Sequence, residues 1–129
     1  FQRRLDAALR RGVRSRLADL ARGEASGLTA PMVAEAAEGG DDLARELMSD
    51  AVRYLAMALA NYVTLLNPEA LILGGGVIET APVLADAVAT AVRGLTTILA
   101  RGALRIDRAC LGAWSGTIGV ADLARSRAG

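Results

Sequence analysis

From residue 2 to about residue 22, apolar residues recur every three or four positions: Leu5, Leu9, Val13, Leu17 and Leu20. That spacing predicts one amphipathic helix over roughly 2–22. Its other face carries Arg3, Arg4, Arg10, Arg11, Arg14 and Arg16. Residues 23–27 read as a loop. Thr29-Ala30-Pro31 then starts a short helix, with Thr at the N-cap and Pro in the first turn, and Gly39-Gly40 ends it. Asp41 or Asp42 caps the longest helix, expected to reach about Leu66. Its main stripe is Leu43, Leu47, Ala51, Leu55, Ala58, Tyr62 and Leu65. From Tyr54 to Ala60 it is apolar almost all round, which predicts burial on most sides. Asn67-Pro68 stops it.

Beyond Pro68 the period changes. Ala70–Leu73 is short, wholly apolar and bounded by Pro and Gly, as expected of a central strand buried on both faces. Thr80-Ala81-Pro82 opens a helix to about Ala100, with Val83, Ala87, Val88, Ala91, Leu95, Ile98 and Leu99 on its apolar side, and Gly102 closes it. Leu104 and Ile106 alternate with Arg105 and Asp107, the pattern of a half-exposed edge strand over 104–107. A last helix ends near Arg127. Gly112, Gly116 and Gly119 share one side of it, which favours close packing against a neighbour over ligand contact. The triplet Thr-Ala-Pro occurs at 29–31 and 80–82, and two helix starts account for it better than a duplication. The fold class expected is α/β, in one partial domain: 1–66 helical, 67–129 β-α-β-α. The crossover between the strands should be right-handed and the strands parallel.

Composition narrows the chemistry. The 129 residues carry 15 basic and 14 acidic side chains and no histidine, and every basic residue is arginine. A net charge of +1 gives the whole chain no strong pull toward nucleic acid or membrane. The arginines of the first helix have no interleaved aromatics and are diluted by Asp6 and Asp19, so a solvated face is preferred to a nucleic-acid surface. Without His or Lys the chain holds no Ser-His-Asp or Cys-His catalyst, no histidine metal site, no Schiff-base lysine and no Walker A lysine. Cys110 is the single cysteine, so no internal disulfide or zinc cluster is expected, and a reducing, cytoplasmic setting is the simplest reading. The longest uncharged run, Tyr54–Pro68, has 15 residues, short of the roughly 20 a membrane span needs. The chain opens on Phe1 rather than Met and is expected to be a fragment or processed product.

The segment Asn67–Val77, NPEALILGGGV, carries the main functional question. Three consecutive glycines cost backbone entropy. Gly74, Gly75 and Gly76 sit at the carboxyl end of the first strand, where open α/β sheets bind ligands. The dinucleotide fingerprint fails, because Glu79 stands at its third glycine position. A carboxylate just before a helix N-terminus also disfavours a docked phosphate. A nucleotide bound here would therefore meet the glycines with its base or sugar. A tight strand-exit turn and a ligand contact remain equal readings.

This segment, preceded by AAEGGDDLARELMSDAVRYLAMALANYVTLL and followed by RACLGAWSGTIGVADLA, resembles the C-terminal portion of ROK proteins (repressors, open reading frames and sugar kinases) over roughly residues 29–125. The resemblance implies a two-domain actin-like, ribonuclease-H-like fold of which this chain is the end of the second domain. It implies that Gly74, Gly75 and Gly76 contribute to the adenosine side of an ATP site in kinase members. The family's Asp-x-Gly-x-Thr phosphate motif, catalytic aspartate, sugar-contacting Glu and His, zinc cysteines and winged-helix DNA-binding domain have no match in the chain. No catalysis, DNA binding or metal is therefore expected of the chain alone. The resemblance places a further strand upstream of residue 1. Without it the chain should expose a sheet edge and apolar surface and form a homodimer. The reading preferred is the sugar-sensing, dimerising part of a ROK regulator, whose parent chain binds the sugar. The alternative is part of an ATP-dependent sugar kinase such as a glucokinase. A helix-rich dimerisation module without a ligand is the third reading.

Overall fold

In the computed structural model, which describes residues 1–97, 102 and 104–127, a helical half precedes a small parallel sheet with its own helices. The first expected helix is two. Helix α1 spans Gln2–Arg10 and α2 spans Arg16–Leu20. Gly12 adopts φ +72°. Its amide donates to Leu9 O and that of Val13 to Ala8 O, the paired bonds that close a helix C-terminus. Ser15 then caps α2 by accepting from Leu17 N. A glycine that tolerates positive φ and a capping serine three residues on outweigh the continuous apolar spacing.

Helix α3 (Ala30–Glu38) starts as expected, with Pro31 in its first turn, although the Thr29 side chain makes no capping bond. Helix α4 (Asp42–Leu66) is the spine of the molecule, capped by Asp41 and ended by Asn67 in the left-handed region. Its N-terminal half packs on α1–α3 around Leu5, Leu17, Leu28, Val33, Ala36 and Leu47. Its C-terminal half joins a second core with Leu73, Leu84, Val88, Val92 and Leu104. Met48 touches both.

Strand β1 (Ala70–Leu73) pairs in parallel with β2 (Arg105–Arg108), Ala70 opposite Arg105 and Leu73 opposite Arg108. The β2 strand thus lies one residue later than its alternation predicts, and Leu104 instead enters the core. Between the strands run α5 (Gly76–Thr80) and α6 (Pro82–Leu95). Residues 98–100, including Ile98 and Leu99, lie outside the described residues. A last helix, α7, spans Ser115–Arg127.

Two burial expectations fail. β1 is not buried on both faces: Leu73 is buried, but Ile72 is 57% exposed. Among the described residues β1 has β2 as its only strand partner, which leaves its other edge unpaired. The Tyr54–Ala60 stretch of α4 is not buried on most sides either. Ala56 and Ala60 are buried, while Tyr54, Leu55 and Met57 are exposed. Helix α6 packs on one side of it, around Ala56, Ala60 and Val63. Helix α7 is exposed along its length, and Cβ atoms at Gly116 and Gly119 would meet nothing within 4 Å. The close packing expected of that glycine side is absent among the described residues.

Candidate functional site

The glycine run leaves the sheet where β1 ends, and its three members differ. Beyond the last register pair, Ala109 N donates to Leu73 O at 2.8 Å. That bond carries Ala109 against Gly74, where an added Cβ would lie 2.9 Å from the Ala109 Cβ. Gly74 is therefore required by the neighbouring strand. Gly75 has φ 97° and ψ 165°, a conformation essentially reserved to glycine. It reverses the chain and caps α5, its carbonyl accepting from Glu79 N at 3.0 Å. Gly76 has neither cause. Its φ is not positive, and a Cβ there would meet nothing within 4 Å. All three glycines are exposed. Open space thus lies before an unshielded stretch of backbone at Gly76.

The turn is braced from behind. Thr80 Oγ1 donates to Gly76 O at 2.6 Å, and Ala81 N donates to Val77 O at 2.9 Å. Glu79 falls inside α5 rather than ahead of a helix, because the chain becomes helical directly at Gly76, a turn that the start at Thr80-Ala81-Pro82 missed. The signal for it was Gly75 itself, which lets a helix begin directly after a strand. α5 is a single short turn, too brief to hold an anion through its dipole. The turn thus offers backbone and open space, a surface for a flat uncharged group.

The turn brings no catalytic set together. Among the described residues no three His, Cys, Asp or Glu side chains group closely enough to hold a metal. Cys110 is exposed and free. A hollow of about 750 Å³ lies between α4 and α6 along Met48, Val52, Ala56, Ala91 and Leu95, and no residue of the glycine turn lines it. No described helix is long and apolar enough to cross a membrane.

The other glycine run of the chain, Gly39-Gly40, is structural. Gly40, at φ +90°, closes α3: its amide donates to Ala37 O and that of Asp41 to Ala36 O. Asp41 then serves two helices. One carboxylate oxygen accepts from Ala44 N at 2.8 Å, and the other from Arg16 N at 2.6 Å and Ser15 Oγ at 2.9 Å. Burial, the largest single influence, pushes this carboxyl up. The hydrogen bonds from Ala44, Ser15, Arg16 and Leu43 together outweigh it and hold the group below its ordinary 3.8.

The ROK family pattern matches residues 6–127. Among solved structures, a ROK family glucokinase from Streptomyces griseus, determined with glucose and AMPPNP, is similar to the chain with a TM-score of 0.74 and 29% identity, over 97% of this chain and 40% of its own. A ROK family transcriptional regulator, a homolog of the E. coli MLC protein, is similar with a TM-score of 0.64 and 23% identity, over 83% of this chain and 26% of its own. The chain therefore spans well under half the length of either. No curated protein sequence matches it.

Proposed function

The chain belongs to the ROK family, and from that premise we propose that it is the adenosine-facing, C-terminal part of the second domain of an ATP-dependent sugar kinase. One observation carries this: Gly76 is a glycine that the fold itself does not require, beside open space at the end of β1. An adenosine laid across the backbone of Gly74–Gly76 supplies the missing reason. The similarity to the glucokinase supports it, since that protein was solved with a nucleotide analogue and a sugar. The likeness to the regulator, at lower identity, extends to the fold, so the regulator reading preferred from the sequence becomes the alternative.

In the parent enzyme a sugar hydroxyl would attack the γ-phosphate, and catalysis would rest on positioning and charge stabilisation. These glycines would contribute positioning alone. The remaining machinery is supplied by the rest of the parent chain, and the 129 residues by themselves are expected to show no sugar phosphorylation. The exposed, free Cys110 suits a reducing cytoplasm.

Titration of AMPPNP into the ¹⁵N-labelled chain tests the reading. Shifts confined to residues 73–77 and Ala109 are expected, and Gly76→Leu should remove them without unfolding the protein. An unperturbed spectrum at millimolar AMPPNP would defeat the kinase reading. A parent protein whose operator binding responds to sugar and ignores ATP would establish the regulator in its place.

A further inference from the structure

The hollow of about 750 Å³ between α4 and α6 falls in the size range of small-ligand sites and lies apart from the glycine turn. Its walls are rows of residues four apart along each helix. Met48, Val52 and Ala56 form the row on α4, and Ala87, Ala91 and Leu95 the row on α6. Eight residues of helix give each row a length of about 12 Å. The base is closed by the core that holds Ala56 and Val88. Above it the small side chains of Ala87 and Ala91, with Gly94 beside them, leave the space open.

One polar row borders this apolar groove. Arg45, Ser49 and Arg53 follow at the same four-residue spacing along the neighbouring edge of α4, and no acidic side chain lines the hollow. The two arginines are differently engaged. Arg53 donates from Nη2 to Asp50 Oδ1 at 3.2 Å, and its guanidinium lies 4.4 Å from the centre of the Tyr54 ring. Arg45 donates from Nε to Ala37 O at 3.2 Å, which ties it to the end of α3. Its two Nη atoms make no hydrogen bond among the described residues. The Asp42 carboxylate stands 3.9 Å from Nη1, and that side chain is 99% exposed. Ser49 Oγ also has no partner among the described residues. Thr64 and Thr90, by contrast, donate to the carbonyl four positions back. An anchored cation with unused donors and a free hydroxyl, about 6 Å apart along the helix, thus border one end of the groove.

This chemistry selects the occupant. The planar donor pair of a guanidinium suits a carboxylate. The apolar rows beyond it favour a hydrocarbon about as long as the groove. Arg53, held by Asp50 and Tyr54, offers little to a second charge, so the fitting ligand has one anionic head and one apolar tail.

We propose that this groove binds a free medium-chain carboxylate, its head on Arg45 and Ser49 and its tail along Val52, Ala56, Ala91 and Leu95. The site does not depend on the kinase reading.

Titration of decanoate, kept below the concentration at which it forms micelles, into the ¹⁵N-labelled 129-residue chain tests the proposal. Saturable shifts are expected at residues 45–56 and 87–95, and none at 73–77. Octanoate should bind about fifteenfold more weakly, at about fourfold per buried methylene, and decylammonium should not saturate. Arg45→Gln should weaken decanoate about tenfold and leave decanol binding unchanged, a split that mere structural damage would not produce. Ala91→Phe, which fills the hollow from α6, should abolish binding and keep the helical circular dichroism. Phosphatidylglycerol vesicles should not retain the chain, since the groove takes a monomer and not a lipid surface. The proposal would be overturned by the absence of saturable shifts, by equal binding of decanoate and decylammonium, or by shifts centred on the exposed Tyr54–Leu65 side of α4. Unchanged decanoate affinity in Arg45→Gln, or retention on the vesicles, would overturn it equally.

Discussion

The chain contains two glycine-rich turns, and the fold uses them differently. Gly39-Gly40-Asp41 joins two helices, and every feature of it has an internal cause. Gly40 supplies a positive φ, Asp41 caps two helices, and a Cβ at Gly39 would crowd the backbone carbonyl oxygen of Glu35 at 3.3 Å. Gly74-Gly75-Gly76 joins a strand to a helix. The internal causes there stop at Gly75. A turn whose residues are all accounted for by hydrogen bonds and contacts needs no ligand. A turn with one glycine left over has room for one. Both turns carry the family resemblance with equal weight in the sequence, so only the contacts separate the structural motif from the functional candidate.

Removing Asp41 attacks the first turn most directly. Asp41→Ala strips the cap from α4 and the bond that holds α2 to it, and is expected to cost about 2–3 kcal/mol, read as a lowered urea midpoint. The loss should depend on pH in a fixed direction. The folded carboxyl sits below its ordinary 3.8, so its contribution is complete above that value and disappears as pH falls through the lower folded value. Native and variant stabilities should therefore converge only in acid, and equal stabilities at neutral pH would refute the double cap. Gly75→Ala is next in size, at about 2 kcal/mol, because it forces a side chain into a conformation that only glycine adopts easily. Thermal unfolding unchanged by this substitution would remove the distinction between Gly75 and Gly76. The smallest effect sharpens the comparison most. Gly76→Ala should stabilise the chain by about 0.5 kcal/mol, since the site is open, its φ is ordinary and alanine restricts the unfolded chain. A matching loss of AMPPNP binding would show a position kept as glycine against stability, and a destabilised variant would mean that the fold needs this glycine after all.

Much of the architecture was legible in the pattern of residues. The start of α3 at Pro31, the Asp41 cap, the stop at Asn67-Pro68 and the parallel strand pair follow from local chemistry: a fixed proline φ, a side-chain acceptor, an apolar run between breakers. The first helix was misjudged because apolar spacing alone spoke for continuity across Gly12. The spacing of Val13 and Leu17 fits a continuous helix and a bent one equally well. α5 was missed because five residues are too few to show a period. The glycine run could not be divided among its glycines from the sequence, since the demands on Gly74 come from Ala109, thirty-five positions away.

Side of burial is where sequence reading fell furthest short. Periodicity shows that α4 has an apolar stripe, and it does. It cannot show whether anything covers that stripe. The residues by themselves determined most of the elements, the Asp41 cap, the absence of histidine and lysine chemistry, and the family, because these depend on neighbours within a few positions or on identity alone. The tertiary structure decided which face of α4 meets α6, that Ile72 stands exposed, and that Gly76 is the glycine with no internal duty. Each of those is a contact made or missing between distant segments, and no local pattern encodes it.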